Sequence, residues 1–270
     1  MAKITKIEAQ KRPGRYNVYL DGKYAFPVAE SVLIQFRLMK GTGIDQELDA
    51  QITTADQVAR AYSQMLDYLS HQLRTESDVI QKLCDLETPE EFIDPVLQKL
   101  RAQNLLDDHE YAASYVRTEM NTDLKGPGNI RQKLRLKKIG ENDIDDALAQ
   151  FTLERQLENA TKLAKKLFRR YRSQPIRRQE QKVRQGLMTK GYASTIYDQI
   201  KDQVEPTTDL EQQAELLTHQ AEKIWHRYRR YSDRDREMKF KQAMYRKGFD
   251  LDAVQTWLDR QNSEGSFSDE

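Results

Sequence analysis

The chain has 270 residues, 38% hydrophobic and 32% charged, with a formal net charge of +1 and a mean hydropathy of −0.86. No run approaches the roughly 20 apolar residues of a membrane helix, and Met-Ala-Lys-Ile-Thr-Lys-Ile-Glu has no apolar signal core, so a soluble, cytoplasmic protein with no membrane partner is expected. The lone Cys84 excludes an internal disulfide and is expected as a plain packing or surface residue.

Residues 3–27 differ in kind from the rest of the chain. Lys3-Ile4-Thr5-Lys6-Ile7 and Tyr16-Asn17-Val18-Tyr19-Leu20 alternate in polarity, and Asp21-Gly22 before Tyr24-Ala25-Phe26 signals a type I′ hairpin. A small antiparallel sheet is expected, then one short helix over 29–38 and a break at Gly41-Thr42-Gly43.

Beyond the break the chain repeats itself. Lys166, Arg170, Tyr171, Arg172, Arg177, Lys182, Gln185, Lys190 and Gly191 recur 57 residues later as Lys223, Arg227, Tyr228, Arg229, Arg234, Lys239, Gln242, Lys247 and Gly248. Apolar positions keep step, as in Phe168/Trp225, Val183/Phe240, Leu187/Met244 and Tyr192/Phe249. A third copy lies 53 residues upstream of Val183, Leu187, Tyr192 and Tyr197, at Ile130, Leu134, Ile139 and Ile144. A fourth, more diverged, has Val79 and Leu83 at a spacing of 51. Such a period marks stacked units that cannot bury their apolar faces alone. The expected fold is mainly α: tandem three-helix repeats in an elongated curved solenoid, with a small N-terminal β-hairpin module.

Each repeat reads as three helices with recognisable starts. In the first, Thr54-Ala55-Asp56-Gln57 opens a long helix, Thr75-Glu76-Ser77-Asp78 the second and Thr88-Pro89-Glu90-Glu91 the third. All three place a hydroxyl at the N-cap, and the last adds proline at N1. The second repeat reads as helices over 107–121, 127–138 and 143–151, the third over 153–172, 175–189 and 195–204. The fourth opens at Thr208-Asp209-Leu210-Glu211 and continues over 232–246 and 251–260. Gly191 and Gly248 stand where a left-handed residue would end the middle helix. The implied domains are 1–50, repeats at 51–106, 107–152, 153–206 and 207–262, and a small acidic tail, 263–270, expected to be disordered.

The near-neutral total hides a segregation of charge. Residues 61–155 carry 12 Lys/Arg against 18 Asp/Glu, whereas 156–205 carry 12 against 5. Lys165, Lys166, Arg169, Arg170, Arg172, Arg177, Arg178, Lys182 and Arg184 lie in a stretch, 162–190, whose one anion is Glu180. A field of that sign attracts polyanions, guanidinium forks suit phosphate and carboxylate, and Tyr171 can stack on a base. The plain alternative is a solvated face with cations favourably near a helix C-terminus. Arg227 and Arg230 form a weaker counterpart, interleaved with Asp233, Asp235 and Glu237. Arg131, Lys133, Arg135, Lys137 and Lys138 make a third cluster, in which Arg131, Arg135 and Lys138 are expected on one exposed face opposite Ile130 and Leu134.

Other motifs read as structural. Asp107-Asp108 resembles a metal-holding carboxylate pair, but Asp107 at an N-cap with Glu110 at N3 accounts for it. The four histidines are scattered without i, i+4 pairing, so no metal site follows. Gly126-Pro127-Gly128 lacks the Gly-Lys-Ser/Thr ending of a phosphate loop. The ladders Tyr115, Phe168, Trp225 and Ile139, Tyr192, Phe249 recur at fixed repeat positions and read as core. With no convergent acid, base, nucleophile or cofactor loop, the chain reads as a binding protein with no cofactor, not an enzyme.

Several segments together resemble the RecX family, small regulatory proteins that modulate the bacterial recombinase RecA. They are Arg15-Tyr16-Asn17-Val18-Tyr19-Leu20-Asp21-Gly22, Arg74-Thr75-Glu76-Ser77-Asp78-Val79, Leu106-Asp107-Asp108 with Tyr111-Ala112, and Lys125-Gly126-Pro127 with Ile130-Arg131 and Leu134. One departure is Lys138, where the family commonly has glycine; lysine costs about 1 kcal/mol in a left-handed conformation. The resemblance implies a non-enzymatic, cytoplasmic regulator of recombination, DNA repair and the SOS response. It would sit as a monomer in the groove of the RecA filament on single-stranded DNA, slowing filament growth, ATP hydrolysis and strand exchange. Those family motifs are mainly structural, and the candidate contacts come from charge alone. A direct nucleic-acid-binding protein that competes for single-stranded DNA is the alternative reading.

Overall fold

The structure, a computed structural model, describes residues 1–204 and 210–265. The expected opening of the fourth repeat at Thr208-Asp209, and residues 266–270 of the expected tail, lie outside the described residues.

Four antiparallel strands, β1 (Ala2–Ala9), β2 (Arg15–Leu20), β3 (Lys23–Ala29) and β4 (Gly43–Ile44), pair in the order β3-β2-β1-β4. The hairpin between β2 and β3 is the expected tight turn, with Asp21 at φ 46° and Gly22 at φ 83°, the two positive values that a type I′ turn requires. Strand β4 starts at the last residue of the segment expected as a break. It is too short to show a pattern, and forms because Gly41 at φ 96° turns the chain back so that Ile4 N donates to Thr42 O at 2.9 Å. The sheet buries Ile4, Val18, Val28 and Ile44 against Val32 of α1 (Glu30–Gln35) and Ile52 of α2 (Gln46–Leu69).

Helix α2 starts earlier than Thr54. Its N-cap is Asp45, which accepts from Leu48 N at 2.9 Å. Ile52 and Ala59, seven residues apart, extend the apolar stripe onto the sheet. Asp56, expected at the helix start, instead accepts from Arg15 and from Ala29 N, both at 2.7 Å, tying the helix to β2 and β3. Further along, Val58, Ala61 and Met65 turn to a second core with Val79 and Leu83 of α3 (Glu76–Asp85) and Phe92, Val96, Leu97 and Leu100 of α4 (Glu90–Ala102). Thr75 and Asp78 form the expected capping box. Helix α4 differs: Pro89 itself is the N-cap and no side chain caps it.

The chain continues through α5 (Asp108–Thr122), α6 (Pro127–Leu136) and α7 (Glu141–Ala149). Then come α8 (Leu153–Tyr171), α9 (Ile176–Thr189) and the short α10 (Ile196–Ile200) with a 3-10 turn. The last triplet is α11 (Leu210–Arg227), α12 (Asp233–Lys247) and α13 (Leu251–Gly265). The fold is therefore mainly helical, in three-helix repeats behind a small antiparallel sheet. Asp107 caps α5, accepting from Glu110 N at 2.9 Å, while Asp108 accepts from Glu76 N at 2.9 Å, so both carboxylates have structural employment. Among the described residues no group of three metal-ligating side chains gathers, and no helix is long and apolar enough to cross a membrane. Cys84 is a free, exposed cysteine.

Two compact units divide the chain. One comprises Met1–Ala112 with Arg135–Ile144, the other Ala113–Leu134 with Asp145–Glu270. In each, the first turn of one middle helix meets the last turn of the next. In the first unit, Lys137 Nζ donates to both Asp78 oxygens, at 2.9 and 3.0 Å. In the second, Gly126 N donates to Lys190 O at 2.7 Å, Gly128 N to Gly191 O at 2.9 Å and Asn129 Nδ2 to Thr189 O at 3.0 Å. The orphan donors of α6 thus satisfy the orphan carbonyls of α9. Gly191 sits at φ 90°, and a Cβ there would lie 2.3 Å from Asn129 N. Gly248, at φ 94°, is less crowded, with its nearest contact 3.1 Å away at Arg178 Cβ. Lys138 takes φ 60°, so lysine occupies the left-handed position directly.

Candidate polyanion-binding face

Helix α8 starts at Thr152, whose hydroxyl accepts from Arg155 N at 3.3 Å. Ala160, Leu163, Ala164 and Phe168 form its buried stripe, which leaves Lys165, Lys166, Arg169 and Arg170 exposed. On α9 the buried stripe is Gln179, Val183 and Leu187. The helices approach closely at Gly186, where a Cβ would come within 2.6 Å of Leu167 Cδ1. The turn between them is pinned by buried Gln179, whose Nε2 donates to Gln174 O at 2.7 Å and Arg172 O at 3.3 Å.

This close approach opens a cleft of about 270 Å³ with Leu163 and Leu167 on its apolar side and Arg170, Tyr171, Lys182, Gln185 and Lys190 around it. The Arg170 guanidinium lies 5.8 Å from the centre of the Tyr171 ring. Among the described residues, none of the three cations is paired to a carboxylate. Arg170 and Lys182 are thus brought together as charge alone suggested. Lys190, in the same basic run but not among the candidates, joins them.

Other candidates are directed elsewhere. Arg177 stacks 4.2 Å above the Tyr245 ring and donates to its hydroxyl at 2.6 Å. Arg178 donates to Gln181 of its own helix at 3.1 Å. Arg184 lies 4.7 Å over Tyr197 and pairs with Asp198 at 2.9 Å, so its charge is answered by an anion that the count over 162–190 did not reach. Burial holds the Tyr197 hydroxyl above its ordinary pKa, with Glu180 adding to the effect and Arg184 opposing it. Arg169, Arg172, Lys165 and Lys166 stay exposed on α8 and the turn after it.

The cluster on α6 is not the open face expected of it. Arg131 pairs with Asp145 and Arg135 with Glu141, both carboxylates of α7, while Lys138 is exposed. In the fourth repeat Arg227 and Arg230 are exposed. Arg236 stacks 3.8 Å over Trp225 and donates to its carbonyl at 3.2 Å, a packing role. Phe168, Ile139, Tyr192 and Phe249 are buried, as the ladders predicted, with Tyr115 and Trp225 half-buried.

These features define a class: a tandem three-helix repeat protein whose distinctive surface is a basic, tyrosine-bearing face on the penultimate repeat. The model of the regulatory protein RecX N-terminal domain matches residues 2–45. The models of the first and second RecX three-helix domains match 61–100 and 107–148. The third three-helix domain matches twice, at 154–200 and 211–258. A regulatory protein RecX of Limosilactobacillus reuteri (strain DSM 20016) is 70% identical over 97% of this chain and 99% of its own length. One from Levilactobacillus brevis is 55% identical over 96% and 97%. A crystal structure of regulatory protein RecX, 72% identical, covers 75% of this chain and 100% of its own with a TM-score of 0.70. The chain belongs to the RecX family of regulatory proteins.

Proposed function

We propose that the protein acts by binding, as a cytoplasmic regulator of recombination and DNA repair that engages the RecA filament on single-stranded DNA. The α8/α9 face meets DNA phosphate or acidic recombinase surface in the filament. By bridging or wedging neighbouring subunits it slows filament growth, ATP hydrolysis and strand exchange. Family membership supports the recombinase as target. The observation that carries the choice of surface is the convergence of Arg170, Lys182 and Lys190 on one cleft, since cations without carboxylate partners keep their full field for an incoming polyanion.

The test is titration of the protein into preformed RecA filaments while ATP hydrolysis is followed, with naked-DNA binding measured at the same salt. Hydrolysis should fall at protein levels well below recombinase, and charge reversal at Arg170, Lys182 and Lys190 should restore it. Inhibition appearing only when the DNA itself is saturated would replace this reading with simple competition for single-stranded DNA.

A further inference from the structure

The two most similar repeats agree where a structural duplication has least reason to. Most buried positions have drifted in kind, with Val183 becoming Phe240, Leu187 Met244 and Tyr192 Phe249. Such drift is what a core tolerates if volume and pattern are kept. Exposed positions, by contrast, are usually free to vary with little effect on stability. Yet between Leu163 and Gly191 eleven positions are identical in the two repeats; Ala164/Ala221 is buried and Gly191/Gly248 is a turn glycine, while the other nine, Glu180/Glu237 among them, are polar or tyrosine positions outside the core. Five of them, Arg170, Tyr171, Lys182, Gln185 and Lys190, line the cleft, where Thr189 is the one polar lining residue that changes, to Arg246. All five recur as Arg227, Tyr228, Lys239, Gln242 and Lys247.

In the fourth repeat the two lysines lean on neutral groups, and Arg227 is exposed. Lys247 donates to Gln220 at 3.1 Å and Lys239 lies 4.9 Å over Tyr231. Their charge is therefore undiminished. The Tyr228 ring packs edge-on to Tyr231, with centres 5.9 Å apart.

We infer that the two quintets are equivalent subsites for one strand of single-stranded DNA, one on each of the last two repeats. In each, the arginine and two lysines take backbone phosphates, the tyrosine stacks on a base, and the glutamine amide is placed to meet a base edge. The tyrosine and glutamine favour a nucleic acid over an acidic protein segment, which needs cations but no ring to stack on. A polymer with one charge per nucleotide also matches a site repeated once per structural unit. The inference rests on the proposed function, in which this face meets the DNA of the filament, and it names what the face contacts there.

Full-length protein is titrated with oligo(dT) carrying a single 2-aminopurine, whose emission is quenched by stacking. Tyr171→Leu and Tyr228→Leu should each lower affinity about tenfold and remove part of the quenching, whereas Tyr171→Phe and Tyr228→Phe should retain both. Lys182→Glu and Lys239→Glu should each flatten the slope of log affinity against log salt by about 0.7. Leucine variants with unchanged affinity and quenching would overturn the inference, as would fourth-repeat variants without effect. Equal dependence on the same lysines in binding poly-glutamate, with the tyrosines silent, would assign the face to an acidic protein partner instead. Assaying these variants for inhibition of filament ATP hydrolysis separates the two readings. If lysine reversal relieves inhibition while the tyrosines are silent toward the oligonucleotide, the subsites fail and the filament reading stands. If oligonucleotide binding depends on both quintets while inhibition does not, the subsites stand and the filament reading fails.

Discussion

The four residues that end the middle helices, Glu87, Lys138, Gly191 and Gly248, show how one side chain's tolerance is set by its neighbour. All take positive φ, yet two are charged and two are glycine. Strain in the left-handed region costs a non-glycine residue about 1–2 kcal/mol, which Lys138 bears. Gly191 has no such latitude, because a Cβ would collide with the backbone of Asn129. Gly191→Ala should therefore destabilise by about 3 kcal/mol or more, and Gly248→Ala by about half that. Lys138→Gly should be neutral or stabilising by up to about 1 kcal/mol; urea midpoints would rank the three. The glycines at 191 and 248 were legible from their repeat position. The asymmetry was not, since Gly126 and Gly128 lie far away in sequence and only tertiary packing brings them against Gly191. Arg184 offers a second case. Its exposed pair with Asp198 is of a kind worth about 0.5 kcal/mol. Asp198→Asn should leave the midpoint within experimental error and tighten oligonucleotide binding about twofold, by releasing a cation that the pair now engages.

At the scale of elements, α3 and α6 are joined by the Asp78–Lys137 pair. Burial alone would raise the Asp78 pKa, but the Lys137 ammonium and the Thr75 backbone N–H outweigh it and hold the carboxyl below its ordinary value. The stability that Asp78 contributes is thus present above the unfolded value of about 3.9 and lost as pH falls through the lower folded value. Asp78→Asn should cost stability at neutral pH, and the gap to wild type should narrow below about pH 4, as urea midpoints across that range would show. The capping box around the same aspartate was legible because all its partners are local. The start of α2 was not: Thr54-Ala55-Asp56-Gln57 has the composition of a cap, but Ile52 lies buried before it and Asp45 caps the helix about two and a half turns upstream. Likewise the basic run on α6 was visible as charge, while the acids of α7 that answer Arg131 and Arg135 are recognisable only once the two helices are packed.

For the whole molecule, periodicity was the strongest signal in the sequence, because stacked units must repeat the positions that bury them. The proposed partner rests on family membership and on the local distribution of charge, which the net of +1 conceals. If that charge drives engagement, inhibition of filament ATP hydrolysis should weaken steeply between 50 and 200 mM salt, as it does for proteins that bind by releasing counterions. Salt-insensitive inhibition would point instead to apolar contacts. The chain also carries its own optical reporter. Its two tryptophans, Trp225 and Trp257, share the core of the last repeat, with ring centres 6.3 Å apart and Phe240 against both. Selective excitation of tryptophan therefore watches that repeat alone, while far-ultraviolet circular dichroism averages every helix. A fluorescence transition that precedes the dichroism transition would show the last repeat opening on its own; coincident transitions would show it melting with the rest.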